Sequence, residues 1–413
     1  MEIRFLGGAR EVGRSALVID DSLLLDYGST ADDPPQFPVE PPREIAPDAV
    51  VVSHGHLDHV GALPALLSGD DRPSIHWTPP TRELTRRLAE DTLKLHGNSP
   101  QCPFGREELK RLDEVSVPHG YREQFTAAGY RVTLFDAGHI PGSAHVLVDD
   151  GDTRLLYTGD FHTDDQRIVA GTTARPDADV VVCESTYADV EHEDRQTVEQ
   201  RFTESVQTTL WEGGTVVVPA FAIGRTQEML LVCAAADVPC YVDGMGTEVT
   251  ATLRQYPEYV RDPDALDRAA GHAREVTGRD GQRERIADQP VAVVTTSGML
   301  SGGPAMTYVP AVRANPTNKI TLTGYQVAGT PGRELLETGS AEIDGRVVRV
   351  SARVEQYDFS AHADESGLRS FLDAYEDATV LVNHGDSCAQ FADRLRVDGY
   401  DAAAPELGET VTV

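Results

Sequence analysis

Apolar positions in the first part of the chain fall in short runs separated by glycine and acidic turns. Residues 1–28 hold three such runs, IRFLG, SALVID and SLLLDYG, which predict short strands. Residues 29–47 carry six of the 25 prolines and predict a loop. The apolar run at 49–53 predicts a buried strand, and VGALPALL beyond the next turn reads as a helix start. Residues 81–96 (TRELTRRLAEDTLKLH) and 105–113 have helical periodicity. Further strands are predicted at 131–136, 144–148 and 154–158, and DVVVCEST at 179–186 is another that runs into polar residues.

Near residue 190 the pattern changes. A long helix is predicted over 196–211, followed by TVVVPAF (215–221), a helix from 225, CYVD, another helix and VAVVTTSG (291–298). Strand and helix alternate here as they do around a parallel sheet. Short strands with polar ends return from about 346, in VVRVSARVEQYDFSAH and ATVLVNHGD. These two patterns predict one domain, 1–190 and 346–413, interrupted by an α/β insertion at 191–345. A length of 413 residues suits two domains.

Composition narrows the setting. No apolar stretch is long enough to span a membrane, which takes about 20 residues, and MEIRFLGGAREVG has no signal-peptide core. A cytoplasmic protein without a membrane partner is expected. The cysteines (Cys102, Cys183, Cys233, Cys240, Cys388) are scattered with no Cys-x-x-Cys, which argues against a disulfide framework and a thiolate zinc finger. Acidic residues number 67 against 36 basic, a net charge of −31, and only three of the 36 are lysines. A uniformly acidic, lysine-poor surface suits concentrated salt, where the Debye length is about 3 Å at 1 M. A salt-loving source is expected, and the charge does not argue against nucleic acid as partner.

The chemistry concentrates in HGHLDH, residues 54–59, just past the strand at 49–53. His54 and His56 can meet one cation while Asp58 and His59 face a second. One hexamer cannot complete two sites. Three more residues stand in the same setting, just past a short strand: His139 in DAGHIPGS, Asp160 in LLYTGDF and His384 in VLVNHGD. Asp160 can bridge two metals with its two oxygens.

This set resembles the metallo-β-lactamase fold, a four-layer αβ/βα sandwich with metals at one end of its two sheets. Asp26 in LLLDYG matches the first motif of that fold, a carboxylate behind the metal ligands. HGHLDH, His139 and Asp160 match the second, third and fourth. The insertion resembles a β-CASP domain, whose three motifs match Glu184 in CESTY, His362 in DFSAHAD and His384 in NHGD. VVVPAFAIGRTQEML, TTSGMLSGG and TGYQVAGTPGREL resemble β-CASP sequences too. DFSAHAD with GHIPGSA looks most like the cleavage nuclease of pre-mRNA 3′-end formation and its archaeal homologues, with RNase J a near relative. With no KH-type extension ahead of it and 29 residues after His384, the chain looks like a minimal member.

The resemblance implies two Zn²⁺, one held by His54, His56, His139 and Asp160, the other by Asp58, His59, Asp160 and His384. It implies hydrolysis of single-stranded RNA by a metal-activated water, with Asp58, His362 and Glu184 in the catalytic set. His362 would serve the leaving oxygen and Glu184 would orient it. A cleft between the domains is the expected channel. Arg225, the turn from Ser297 and Gly298 to Gly303, and Ser360 are the candidate substrate contacts. His145 and His162 read as supporting or surface residues, and Cys388 as core. Aromatics, 6% of the chain, are too sparse for a base-stacking platform to be proposed. A homodimer is the expected self-association. A β-CASP DNA nuclease, a non-catalytic RNA-binding subunit and a small-molecule hydrolase are the competing functions; the last gives the insertion no purpose.

Overall fold

Alternate side chains of the N-terminal strands face two different cores. Leu17 and Ile19 point into one, Ala16 and Val18 into another. The period of two in a strand produces this split, and both faces are apolar because both are covered. The computed structural model describes residues 1–413 except 33, 71, 98, 100, 101, 280 and 344. It divides into two compact units: Met1–Asp165, Gly171–Glu191 and Ala361–Val413 form one, Gln166–Ala170 and His192–Ser360 the other.

Among the described residues, the first unit holds two seven-stranded sheets. One runs in the order Thr410–Thr412, Glu2–Gly7, Ala16–Ile19, Leu23–Leu25, Ala49–Val51, Ser74–Trp77, Ser116–Pro118. The other runs Asp401–Ala403, Thr379–Asn383, Val180–Glu184, Arg154–Tyr157, Ala144–Asp149, Tyr130–Asp136, Gln124–Ala127. Phe5, Leu17 and Val51 of the first sheet share a fully buried core with Val132, Val146 and Val182 of the second. The outer face of the first sheet packs Val18, Val50 and Trp77 against Leu63 and Leu112 of its helices. The outer face of the second packs Leu156, Val181 and Val382 against Phe371 and Phe391. Helix, sheet, sheet and helix therefore form four layers, the αβ/βα sandwich.

Strand direction sets where the polar ends gather. Leu23–Leu25 pairs in parallel with Ala49–Val51, and Val180–Glu184 lies parallel to both Arg154–Tyr157 and Thr379–Asn383. Asp26, His54, Asp160, Glu184 and His384 all stand at or just past the carboxyl ends of these strands.

His145 lies in the outer layer of the second sheet, fully buried, with ring centroids 5.5 Å from Phe161 and 5.2 Å from Phe371. Its Nδ1–H donates to the Thr158 carbonyl at 2.8 Å. Burial pushes the imidazole down to about 4, against about 6.5 when unfolded. Between those values the unfolded chain holds a proton that the folded one lacks. Stability therefore falls as the pH drops through this window, by up to about 3 kcal/mol. In His145→Leu the urea midpoint should fall less steeply from neutral pH toward about 4 than in the parent; parallel slopes would remove His145 as a cause.

The second unit is built on six parallel strands in the order Arg274–Glu275, Cys240–Asp243, Ala292–Thr295, Val216–Pro219, Lys319–Leu322, Arg353–Gln356, counted among the described residues. Val216, Val217 and Val218 are all buried, the continuous apolar run of a strand covered on both faces. Helix Arg195–Trp211 opens with the Asp194 side chain accepting from Thr197 N–H, an N-cap. The expected return to the first domain at 346 differs from the compact division, which falls after Ser360. Arg346–Arg349 forms a hairpin with Ser340–Ile343, and Arg353–Gln356 adds a parallel edge strand beside Lys319–Leu322. The short-strand pattern could not show which sheet these strands would join.

Candidate metal and active site

The turn after Ala49–Val51 is held from behind by one carboxylate. Asp26 Oδ1 accepts from Ser53 N–H at 2.7 Å. Its Oδ2 accepts from Ser53 Oγ–H at 2.6 Å, His59 Nδ1–H at 2.7 Å and Tyr157 O–H at 2.9 Å. Asp26 is fully buried and has φ 57°, in the left-handed region that side chains seldom adopt. Gly28 lies so close to the turn that a Cβ there would sit 1.8 Å from the Asp58 carbonyl oxygen.

These contacts fix the imidazole tautomers. Ser53 gives its proton to Asp26, so its oxygen accepts from His54 Nδ1–H at 3.1 Å. His139 Nδ1–H donates to the Ala361 carbonyl at 2.7 Å. The Nε2 lone pairs of His54 and His139 are then left facing His56 Nδ1, at 3.2 and 3.0 Å. Asp160 Oδ2 lies 3.5 Å from His54 Nε2 and 3.9 Å from His139 Nε2. Four donors about 2.0–2.2 Å from one tetrahedral zinc stand roughly 3.3 Å apart. A single Nδ1–H on His56 can donate well to only one of these two lone pairs, whereas a cation between them meets all three nitrogens. Burial, reinforced by neighbouring imidazoles, holds His54 and His139 well below the usual histidine range, and burial lowers His56 as well. Neutral imidazole is the form that binds metal.

A second group shares Asp160. Its Oδ1 is 3.2 Å from His59 Nε2 and 3.4 Å from His384 Nδ1, while His384 Nε2 is 3.3 Å from Asp58 Oδ2. Asp160 Oδ1 is buried and makes no hydrogen bond among the described residues. Such an orphaned oxygen is costly unless a cation meets it. Burial would raise the carboxyls of Asp58 and Asp160. The hydrogen bond from His384 for Asp58, and the charges of His384 and His59 for Asp160, outweigh it and hold both below the carboxylate range. His384, like Asp26, has a positive φ, 49°. The donors in both groups are nitrogen and oxygen without sulfur, a set that suits zinc.

His362 stands beside the first group. Its Nδ1 is 3.0 Å from Glu184 Oε1 and 3.2 Å from Oε2, and its Nε2 is 3.9 Å from Asp160 Oδ2. Glu184 is pinned by Phe161 N–H at 2.8 Å and Thr186 N–H at 3.2 Å. Burial opposes a charge on His362, but Glu184 and Asp160 outweigh it and push the imidazole up to about 9. With 18% of its side chain exposed, the ring is more open than those of His54, His59, His139 and His384.

The candidate substrate contacts all lie in the second unit. Arg225 begins helix Arg225–Ala235 and is buried, and its charge acts on Glu228 and Asp358. A buried guanidinium is poorly placed to meet a polymer. Ser297 Oγ accepts from Ser301 N–H, and Ser297 N–H donates to Gly302, so part of the glycine turn satisfies itself. Gly298 is tight, since a Cβ there would lie 2.9 Å from Phe221 N. Ser360 is buried, and its carbonyl accepts from Arg195. Sequence reasoning missed Ser53, Tyr157, Thr186 and the Ala361 carbonyl. None of them has chemistry that stands out in a one-dimensional pattern. His162 and Cys388 are buried, Cys388 within the second sheet's outer core.

Family models match three stretches: a metallo-β-lactamase superfamily model at 10–187, a β-CASP domain at 227–335, and a Zn-dependent metallo-hydrolase RNA specificity domain at 347–405. The chain is 35% identical to RNase aCSPSF2 of Saccharolobus solfataricus, over all of this chain and 85% of that one. It is 33% identical to the probable RNase MJ4 of Methanocaldococcus jannaschii over the full length of both. It is also 33% identical to the transcription termination factor FttA of Pyrococcus abyssi, over all of this chain and 71% of that one. A crystal structure of an Enterococcus faecalis protein of unknown function covers the whole chain with a TM-score of 0.63 at 12% identity, a likeness of fold alone. The three domain matches and the full-length archaeal relatives agree with the histidine and carboxylate groups described above: the chain belongs to the β-CASP family of metallo-β-lactamase-fold metallo-hydrolases.

Proposed function

We propose that this chain is a zinc-dependent ribonuclease that hydrolyses single-stranded RNA in 3′-end processing or decay. The carrying observation is Asp160, whose two oxygens face two separate donor groups beside the Glu184–His362 pair. The relatives named as RNases support RNA as the substrate.

In this reading His54, His56, His139 and Asp160 hold one zinc, and Asp58, His59, Asp160 and His384 hold the other. Bound zinc supplies Lewis acidity toward a phosphodiester and makes water an effective nucleophile near neutral pH. His362 does the work on the departing side. Glu184 accepts from Nδ1–H, which leaves Nε2–H directed toward Asp160 and the reacting phosphate. The Glu184 carboxylate favours the protonated imidazole, and in this reading His362 gives its Nε2 proton to the leaving oxygen. Ser297, Gly298 and Ser360 remain proposed as contacts to the chain of the substrate; Arg225 is proposed to act from within, by positioning the loop ahead of its helix.

The zinc-loaded protein, in high salt, should be incubated with one single-stranded RNA labelled at its 3′ end and bearing a 5′-triphosphate, monophosphate or hydroxyl. Internal fragments indifferent to the 5′ group make it an endonuclease. Mononucleotides released in a 5′-dependent way make it an exonuclease. Cleavage of a matched DNA in preference to RNA would overturn the substrate assignment. Asp26→Asn should weaken zinc binding by about 10- to 100-fold, because His59 loses the carboxylate that fixes its tautomer. Competition with a chromogenic chelator measures this, and unchanged affinity would deny Asp26 that role.

A further inference from the structure

Two large aromatic side chains of the second unit are exposed just past the ends of neighbouring strands of its sheet. Phe221 is 42% and Tyr325 is 52% accessible. Phe221 follows strand Val216–Pro219 and Tyr325 follows Lys319–Leu322, which are parallel neighbours. Both residues therefore stand past the carboxyl end of the sheet, where open α/β sheets bind their ligands.

The backbone under them is rigid. The Phe221 carbonyl accepts from Thr226 N–H at 2.9 Å and from Thr226 Oγ–H at 2.8 Å. Gly298 leaves room for Phe221, since a Cβ at 298 would lie 2.9 Å from Phe221 N and 3.4 Å from Phe221 Cδ2. Gln326, 1% exposed, bridges the loops: its Nε2 donates to the carbonyls of Gly298 at 3.3 Å, Gly324 at 3.3 Å and Tyr325 at 3.2 Å. Thr323 Oγ–H ties the end of one strand to the Pro219 carbonyl of the other at 3.2 Å. Apolar rings on a fixed backbone lose little freedom when something flat settles on them.

We propose that Phe221 and Tyr325 form a base-stacking platform for single-stranded RNA; this rests on the ribonuclease reading above. In the concentrated salt that the acidic, lysine-poor composition suits, screening weakens any grip of basic residues on phosphates. The neutral faces of bases are the part of an RNA that such a surface can hold, and stacking suits any sequence because every base has a face. The low aromatic content of the chain hid this, because the platform depends on where two rings lie and not on how many there are.

The test is steady-state cleavage by the zinc-loaded full chain, using an unstructured RNA and the same RNA with abasic nucleotides around the cleavage position. Phe221→Leu and Tyr325→Leu should each raise KM by about 10-fold on the normal RNA with kcat held. Phe221→Trp and Tyr325→Trp should keep the parental KM. On abasic RNA the parent should already show the raised KM, and neither leucine variant should add to it. Unchanged KM on normal RNA overturns the platform, as does an equal rise on abasic RNA. An altered oligomeric state by light scattering with unchanged KM overturns it in favour of self-association. Failure of the parent to bind or cleave any RNA is a separate result, and it removes the ribonuclease reading together with the platform.

Discussion

Asp160→Ala is expected to lower RNA cleavage by more than about 1,000-fold, equivalent to about 4 kcal/mol of transition-state stabilisation. The same variant should lose most of its zinc. Both effects follow from position. Asp160 Oδ2 faces His54 and His139, Oδ1 faces His59 and His384, and each donor group loses its shared anion at once. What remains is a buried set of imidazoles with one carboxylate, Asp58, at its edge. Asp160→Asn separates fold from charge, since it keeps the shape and removes the anion. It should unfold at a temperature close to that of the metal-free parent and still fail to cleave. Retained cleavage in either variant would break the assignment of the site.

His362→Ala is expected to lower kcat by about 100- to 10,000-fold with zinc content unchanged. His362 Nδ1 is committed to Glu184, and His362 falls outside both of the four-donor groups that share Asp160. Glu184→Gln should give a smaller loss of kcat, because the imidazole stays but its tautomer and charge are no longer held. Metal analysis of the purified variants decides between acid and ligand. Asp160, Glu184 and His362 can themselves surround a cation, so loss of zinc from His362→Ala would make it a ligand instead.

The site was legible in the sequence to the extent that its residues are chemically conspicuous. HGHLDH puts His54, His56, Asp58 and His59 in one turn, and such a turn after a strand has few other uses. Asp160, Glu184 and His384 were legible because each ends or follows an apolar run, and parallel strands bring such ends to one edge; His139 follows Tyr130–Asp136, which two successive antiparallel pairings turn the same way as Arg154–Tyr157. Ser53 and Tyr157 were not, because their role comes from facing Asp26 across the sandwich, and a serine or tyrosine has many other uses. Arg225 was legible only in part, for a related reason. A helix start suggests a phosphate contact, but whether that start is buried is decided by tertiary packing. The strands between 346 and 356 were found, but not the sheet they join, because pairing is not written in the periodicity.

The position of His384 has a consequence for how the molecule is made. Its strand, Thr379–Asn383, inserts between Val180–Glu184 and Asp401–Ala403, so the sheet that carries Asp160 is finished only by a late segment. The ribosome delivers the HGHLDH turn early, then all of the second unit, and His362 and His384 only afterwards. Domains generally fold in the order in which they emerge, yet this one must wait for its closing strand. Until that strand docks, one donor group lacks His384. The two donor groups are brought together only once the segments on both sides of the second unit have met.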